Sequence, residues 1–334
     1  MDTNNFRALR VREESGAFVR RVEDCRLDEL PTGDVVVRVH YSSLNYKDAL
    51  SATGNRGVTR NYPHTPGIDA AGVVEQDDSG TLAPGTEVVV HAHDLGANVW
   101  GGFSERIRVP ADWVMPLPNG LSMRTAAAYG TAGFTAAQSI LELEENDVSP
   151  DAGQVLVTGA SGGVGSIATA ILAKLGYSVT AVSGKQEAAD RLRGYGAVAV
   201  ISRDEATDES SRPLLKSRWA GVVDTVGGPI LATAVRATAH GGVVTACGNA
   251  ASGDLPLTVY PFILRGVRLV GIDSAWIAED RRRAIWKRLA GPWSVHEALE
   301  SMLDETDLAG TEEWIARMLK GGVQGRVLVR VAAS

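Results

Sequence analysis

The segment Thr158-Gly-Ala-Ser-Gly-Gly-Val-Gly165 is the stretch of this chain best suited to hold a phosphate. Closely spaced glycines let the backbone turn sharply and approach a pyrophosphate, and a helix starting there offers free N–H groups and partial positive charge to the anion. Gly159, Ser161, Gly162, Gly163, Val164 and Gly165 are the contacts this reading assigns. A glycine motif alone is weak evidence; a strand before it and a helix after it give it meaning. A NAD site usually places Asp or Glu about 20 residues further on, for the ribose hydroxyls. Ser183-Gly-Lys185 stands there instead, 18 to 20 residues past Gly165, with no carboxylate. A hydroxyl and an ammonium suit a 2′-phosphate, and Arg203 can supply a second cation. The expected cofactor is therefore NADPH. The competing reading makes Lys185 a solvated residue at a helix start.

Other chemistry is sparse. His91-Ala-His93 is the only His pair with metal-like spacing, and no third ligand accompanies it. Two cysteines, Cys25 and Cys247, can form neither a disulfide framework nor a four-thiolate zinc site. The expected metal content is none.

The elements around the glycine turn follow from hydrophobic patterning. Val155–Thr158 predicts a buried strand and Gly165–Leu175 an apolar-faced helix closed by Gly176. Ser178–Ser183, Gly221–Asp224 and Gly242–Cys247 repeat the strand theme with helical stretches between them, which predicts βαβ units and a doubly wound parallel sheet. Before this region, short β-branched runs such as Val35–Tyr41 and Thr86–His91 are punctuated by Gly and Pro, an antiparallel, barrel-like pattern. After Asp273 come helices over Glu279–Leu289 and Thr311–Lys320, then a last strand, Arg326–Val331. That strand has no obvious place in the nucleotide sheet and is expected to return to the first domain. The domains predicted are 1–127 with 274–334, and 128–273.

Length and charge set the outer bounds. A chain of 334 residues suits about two domains. Its net charge of −7 lacks the basic footprint of a nucleic-acid or anionic-membrane binder. No apolar window nears the roughly 20 residues needed to span a bilayer, and the start, Met1-Asp-Thr-Asn-Asn-Phe-Arg, has no signal-peptide pattern. No nucleic acid, no membrane and a cytoplasmic location are the expectations.

Six segments carry a family resemblance along essentially the whole chain. They are Ser42-Ser-Leu-Asn-Tyr-Lys-Asp48, Pro66-Gly-Ile-Asp-Ala-Ala-Gly72, Tyr129-Gly-Thr-Ala-Gly-Phe-Thr135, Gly159–Gly165, Tyr260-Pro-Phe-Ile-Leu-Arg-Gly266 and Gln324-Gly-Arg326. In these the sequence resembles the medium-chain dehydrogenase/reductase superfamily, within its zinc-free quinone oxidoreductase branch and the bacterial acrylyl-CoA reductase-like subgroup. The resemblance implies a GroES-like β-barrel catalytic domain beside the Rossmann domain. Zinc members bind catalytic metal through Cys, His and Cys; the matching positions here are Asn45, Ile68 and Thr131, and Ile68 has no donor atom. The short-chain dehydrogenase pattern is the first rival, but Tyr177, Tyr195 and Tyr260 are followed four residues later by Ala181, Ala199 and Leu264, where it requires Lys.

Without a metal, hydride transfer is easiest to a carbon made electrophilic by conjugation, such as the β-carbon of an enoyl thioester; the protein then stabilises the enolate and protonates the α-carbon. The resemblance selects acrylyl-CoA, giving propionyl-CoA. An NADPH:quinone oxidoreductase and a non-catalytic NADPH-binding protein are the alternatives. Asn45 and Tyr46 occupy the lost-metal position and its neighbour, Asn45 as a donor to cofactor or substrate carbonyl and Tyr46 as a proton donor. Thr131 and Thr135 match cofactor-contacting positions, and Arg326 resembles a basic residue reaching cofactor or substrate phosphates. Arg56 and Arg60 are expected on the rim that receives the carrier phosphates. Gly242–Cys247 followed by Val267–Ile272 can put an edge strand of the nucleotide sheet on the surface, and the resemblance implies that such edges pair between subunits in a homodimer.

Overall fold

A computed structural model describes residues 4–332 and divides them into two compact units. The first contains the residues up to Thr131 and those from Leu303 onward; the second is Ala132–Met302.

The first unit is built on a seven-stranded sheet around the strand Val35–Leu44, whose Val35, Val37 and Val39 are fully buried. Alternation of side chains along a strand puts these valines on one face, where they meet Val88, Val90, Ile107, Val327 and Val329. Val35–Leu44 pairs antiparallel with Asp69–Asp77, with Arg106–Val109 and with the last strand, Arg326–Arg330. The chain end thus joins the first unit at Tyr41–Leu44, where Val327 lies opposite Leu44. A hairpin, Asn5–Glu14 with Ala17–Arg26, forms a separate two-stranded sheet.

The second unit is a six-stranded, wholly parallel sheet. Its order is Ala199–Ile201, Ser178–Val182, Gln154–Val157, Trp219–Asp224, Thr238–Ala246 and Arg268–Gly271. Numbered within the sheet this is 3-2-1-4-5-6, the doubly wound Rossmann order. Gln154–Val157 is the first strand in sequence and lies centrally, so the turn after it sits where the strand order reverses.

The first boundary falls after Thr131 rather than at 127, and the second lies further from the sequence reading. Residues 274–302 stay with the nucleotide unit, and the return to the barrel comes at Leu303. The physical reason is a set of ties to the helix that ends at Glu145. Arg281 bridges Glu142 and Glu145 at 2.5 and 2.6 Å, and Arg288 reaches Glu144 at 2.6 Å. Trp286, fully buried, packs near Phe134 with ring centroids 6.2 Å apart. Among the described residues no helix is long and apolar enough to cross a membrane.

Candidate functional site

In the first unit, the end of Val35–Leu44 delivers Ser43 and Asn45 to the carboxylate of Asp69, which begins the neighbouring strand and is 1% exposed. Asp69 Oδ2 accepts from Ser43 Oγ at 2.6 Å and from Asn45 Nδ2 at 2.7 Å. Its Oδ1 accepts from both the backbone N–H and the hydroxyl of Thr131, each at 2.7 Å. Thr131 reaches it because the helical run Met123–Glu145 breaks at Gly130, with φ 47° and ψ −153°. Only glycine fits there: a Cβ would lie 2.4 Å from Asp69 Oδ2 and 2.7 Å from Ser43 Oγ.

Two further charges share this interior. Asp48 is fully buried; its Oδ1 accepts from the N–H groups of Gly67 and Ile68, and its Oδ2 from the N–H of Asn45 at 2.8 Å. Burial first, and the charge of Asp69 second, push its carboxyl up to about 7. Arg326, 2% exposed, donates to Ala128 O at 2.9 Å, Ser43 Oγ at 2.6 Å, Asn45 Oδ1 at 3.1 Å and Leu44 O at 3.4 Å. Its Nη2 stands 3.8 Å from Asp69 Oδ2. Burial lowers its affinity for its proton, and the two carboxylates oppose that.

These contacts revise three of the predicted roles. Asn45 is not a free donor: its amide protons go to Asp69 and to Ser43 O, with Asp48 close by, and its oxygen accepts from Arg326. The fork of Arg326, expected at a phosphate, meets interior oxygens of its own unit. Arg56 is also engaged, with Glu13 at 2.5 Å and Arg60 O at 2.6 Å, while the guanidinium covers the rings of Tyr62 and Phe18. Arg60 is exposed, and its tie to Arg56 runs through its backbone carbonyl. Tyr46, the first residue of the helix Tyr46–Ala52, follows Asn45 directly and is 49% exposed. Among the described residues no group of three or more His, Cys, Asp or Glu can hold a metal ion.

The second unit carries the phosphate turn. Gly159 has φ 58°, and a Cβ on it would lie 2.3 Å from Thr225 Oγ1; a Cβ on Gly165 would lie 2.5 Å from Gly159 O. The helix Gly163–Lys174 follows at once. Its first-turn N–H groups, those of Gly163, Val164 and Gly165, have no partner within the helix. Ser161, Gly162 and Val164 are all partly exposed around this turn. The turn therefore fits a dinucleotide pyrophosphate. Thr135 is buried on the helix, and its carbonyl accepts from Ser139.

Ser183, Lys185 and Arg203 come together at the end of the second strand of this sheet. Ser183 Oγ accepts from the Lys185 N–H at 3.1 Å, and a Cβ on Gly184 would lie 2.6 Å from Arg203 Nε. Burial, with a smaller push from Arg203, lowers the Lys185 pKa, while Glu187 opposes both. Two cations and a hydroxyl around one glycine suit a ribose 2′-phosphate.

Sequence reasoning missed Asp69, the hub of the first unit, and Asp224, its counterpart in the second. Asp224 is fully buried and accepts from Thr158 Oγ1 at 2.6 Å and from the N–H groups of Val226 and Gly227 at 3.2 and 2.8 Å. Burial raises its pKa. The sign available in sequence was an acid set among apolar and small residues, as in Gly221-Val-Val-Asp224 and Pro66-Gly-Ile-Asp-Ala-Ala-Gly72, where a charge needs a built-in partner.

Residues 31–119 match the family model described as the alcohol dehydrogenase GroES-like domain, and residues 163–290 match the zinc-binding dehydrogenase model. The chain is 47% identical to acrylyl-CoA reductase AcuI of Ruegeria pomeroyi, over 96% of this chain and 97% of that protein. It is 43% identical to the Bacillus subtilis protein named "Putative quinone oxidoreductase YhfP", over 98% and 99%. The solved structure of that Bacillus protein, with NAD bound, superposes with a TM-score of 0.95. The yhdH oxidoreductase of Salmonella enterica, solved in complex with NADP, superposes with a TM-score of 0.95 at 44% identity, over 98% of this chain and all of that one.

Proposed function

Since this chain belongs to the medium-chain dehydrogenase/reductase superfamily, in its acrylyl-CoA reductase-like subgroup, we propose that it is a zinc-independent, NADPH-dependent reductase of an activated alkene, acrylyl-CoA giving propionyl-CoA. The observation that carries the reading is the 47% identity to an acrylyl-CoA reductase across nearly the full length of both chains. The cluster of Ser183, Lys185 and Arg203 supports NADPH over NADH, although one relative is solved with NAD. When bound, the nicotinamide supplies a hydride.

The protein's part is binding, orientation and proton supply. The turn from Gly159 to Gly165 binds the pyrophosphate, Thr131 and Thr135 serve the nicotinamide end, and the cations at Lys185 and Arg203 read the 2′-phosphate. As the acceptor's β-carbon gains a hydride, its π electrons move to the carbonyl oxygen. The Tyr46 phenol, exposed at its helix start, donates toward that oxygen and passes a proton to the α-carbon, directly or through water. Asn45 holds the helix start in place. Arg60 remains on the rim assigned to the carrier phosphates, and Arg56 contributes there only by releasing Glu13.

The second reading is a quinone acceptor, favoured by the name of the Bacillus relative. An oxidation assay with NADPH and, in turn, acrylyl-CoA, crotonyl-CoA, a quinone and a simple enone separates the two. Acrylyl-CoA should give the highest kcat/KM. A quinone preference of about tenfold or more, roughly 1.4 kcal/mol, overturns the acyl-CoA assignment. NADPH binding with no oxidation by any acceptor makes the chain a non-catalytic binder.

The protein is further proposed to act in the cytoplasm as a homodimer. Arg268–Gly271 is an edge strand. Just before it lie Val259, Tyr260, Ile263 and Leu264, 45–67% exposed, a surface that a second copy would bury.

A further inference from the structure

We propose that Arg326 is the resident cation of the first unit's site, a positioning residue that fixes Asn45 and Asp69 and, through them, the start of the helix bearing Tyr46. The guanidinium is 2% exposed and surrounded by oxygens from three other stretches of chain: Ala128 O, then Ser43 Oγ, Leu44 O and Asn45 Oδ1, then Asp69 Oδ2. A planar fork with about five donors can serve this many acceptors at once, and an ammonium cannot reproduce its geometry. The buried Asp69 carboxylate calls for a cation there, since an uncompensated buried charge is strongly unfavourable.

The polarity of the cluster does the positioning. Asn45 lies with its amide oxygen on Arg326, which can only donate, and its amide nitrogen on Asp69, which as a carboxylate can only accept. A flipped amide would set donor against donor and acceptor against acceptor, so one orientation survives. The Asn45 N–H is tied in turn to Asp48 Oδ2, and the next residue is Tyr46. From Arg326 to the residue bearing the phenol the path is thus one hydrogen bond and one peptide link. A misplacement of about 1 Å at a reacting group lowers turnover by as much as about 100-fold.

The turnover arm of the test rests on the reductase reading; the exchange arm does not. Arg326→Lys keeps the charge and loses the fork, and Arg326→Gln loses both. Each should lower kcat by about 30-fold or more while leaving the NADPH Kd within about twofold. In Arg326→Ala, added guanidinium ion should restore at least about fivefold in kcat, and ammonium should not. Should the alanine variant fail to fold, the lysine variant carries the test. Amide hydrogen exchange in the cofactor-free protein gives the second readout: in Arg326→Lys the amides of Asn45 to Ala49 should exchange faster, with those of the parallel sheet unchanged. A kcat within about threefold of the parent in Arg326→Gln overturns the proposal. So does a roughly tenfold rise in NADPH Kd at unchanged kcat, which would make Arg326 a phosphate reader after all. A parent protein that turns over no acceptor defeats the reductase reading alone, and unchanged exchange at Asn45 to Ala49 then defeats this one.

Discussion

Each unit has a buried aspartate as its hub, Asp69 in the first and Asp224 in the second, and the two are satisfied by different means. Asp224 is held by neutral groups alone: the Thr158 hydroxyl, from the end of a neighbouring strand, and the N–H groups two and three residues downstream. Asp69 gathers Ser43 and Asn45 from one distant stretch and Thr131 from another, and stands beside a buried guanidinium from the chain end. The first arrangement shapes a turn whose backbone suits a phosphate. The second locks side chains in one polarity around the start of a short helix. Backbone recognition needs little beyond glycine and a neutral brace, whereas the fixed side-chain constellation here also holds a buried counter-charge.

The comparison is sharpest when both hubs lose their charge. Asp69→Asn sets an amide against the donors of Asn45 and Thr131 and leaves Arg326 without its carboxylate, so urea unfolding should show a loss of about 3–5 kcal/mol. Asp224→Asn strands no counter-charge and should cost about 1–3 kcal/mol, with a raised KM for NADPH. Equal losses would mean that the guanidinium adds nothing to the first hub.

Next in size is a pH effect confined to the first unit. The Asp48 carboxyl is raised to about 7, so the folded state holds its proton more tightly than the unfolded chain does between about pH 4 and 7. Its contribution to stability is present at the acid end of that window and is lost as pH rises through about 7. His64, 2% exposed, is lowered to about 4 by burial. Its contribution is present above the ordinary histidine range and is lost as pH falls through about 4. The two oppose each other. On acidification from about pH 7 to 4.5, Asp48→Asn should therefore lose up to about 3 kcal/mol more stability than the parent, as read from thermal melts. A parallel pH course in the two proteins would show that Asp48 titrates normally.

The smallest expected effect lies at the cofactor's outer end. Lys185→Ala, and Ser183→Asp more strongly, should raise the KM for NADPH by about 10- to 100-fold and narrow the gap to NADH, roughly 1.5–3 kcal/mol for a charge-assisted contact. Equal use of both cofactors by the parent would remove the role given to this cluster.

What the sequence disclosed follows the same division. The glycine turn, the strands either side of it and the Ser183-Gly-Lys185 step are contiguous, and local spacing was enough to read them. Arg203 lies beside them because the third strand of the parallel sheet ends just before it, at Ile201. The first hub joins residues 24 to 283 positions apart, so no local pattern contains it. Asn45 and Arg326 could be singled out as important, but their partners, and hence their roles, depend on which interior oxygens surround them. The domain boundary at Leu303 was hidden for a related reason: Arg281 and Arg288 look like solvated charges until Glu142, Glu144 and Glu145 are seen opposite them.

The central claim, hydride delivery to the β-carbon of a conjugated thioester, is most directly tested by isotope placement. The protein is supplied with acrylyl-CoA and NADPH carrying deuterium at the transferred position, and the propionyl-CoA formed is read by NMR and mass spectrometry. One deuterium is expected at the β-carbon, and in deuterated water with unlabelled NADPH one deuterium at the α-carbon. Product with no cofactor-derived deuterium at the β-carbon, or with it at the α-carbon instead, would contradict the claim.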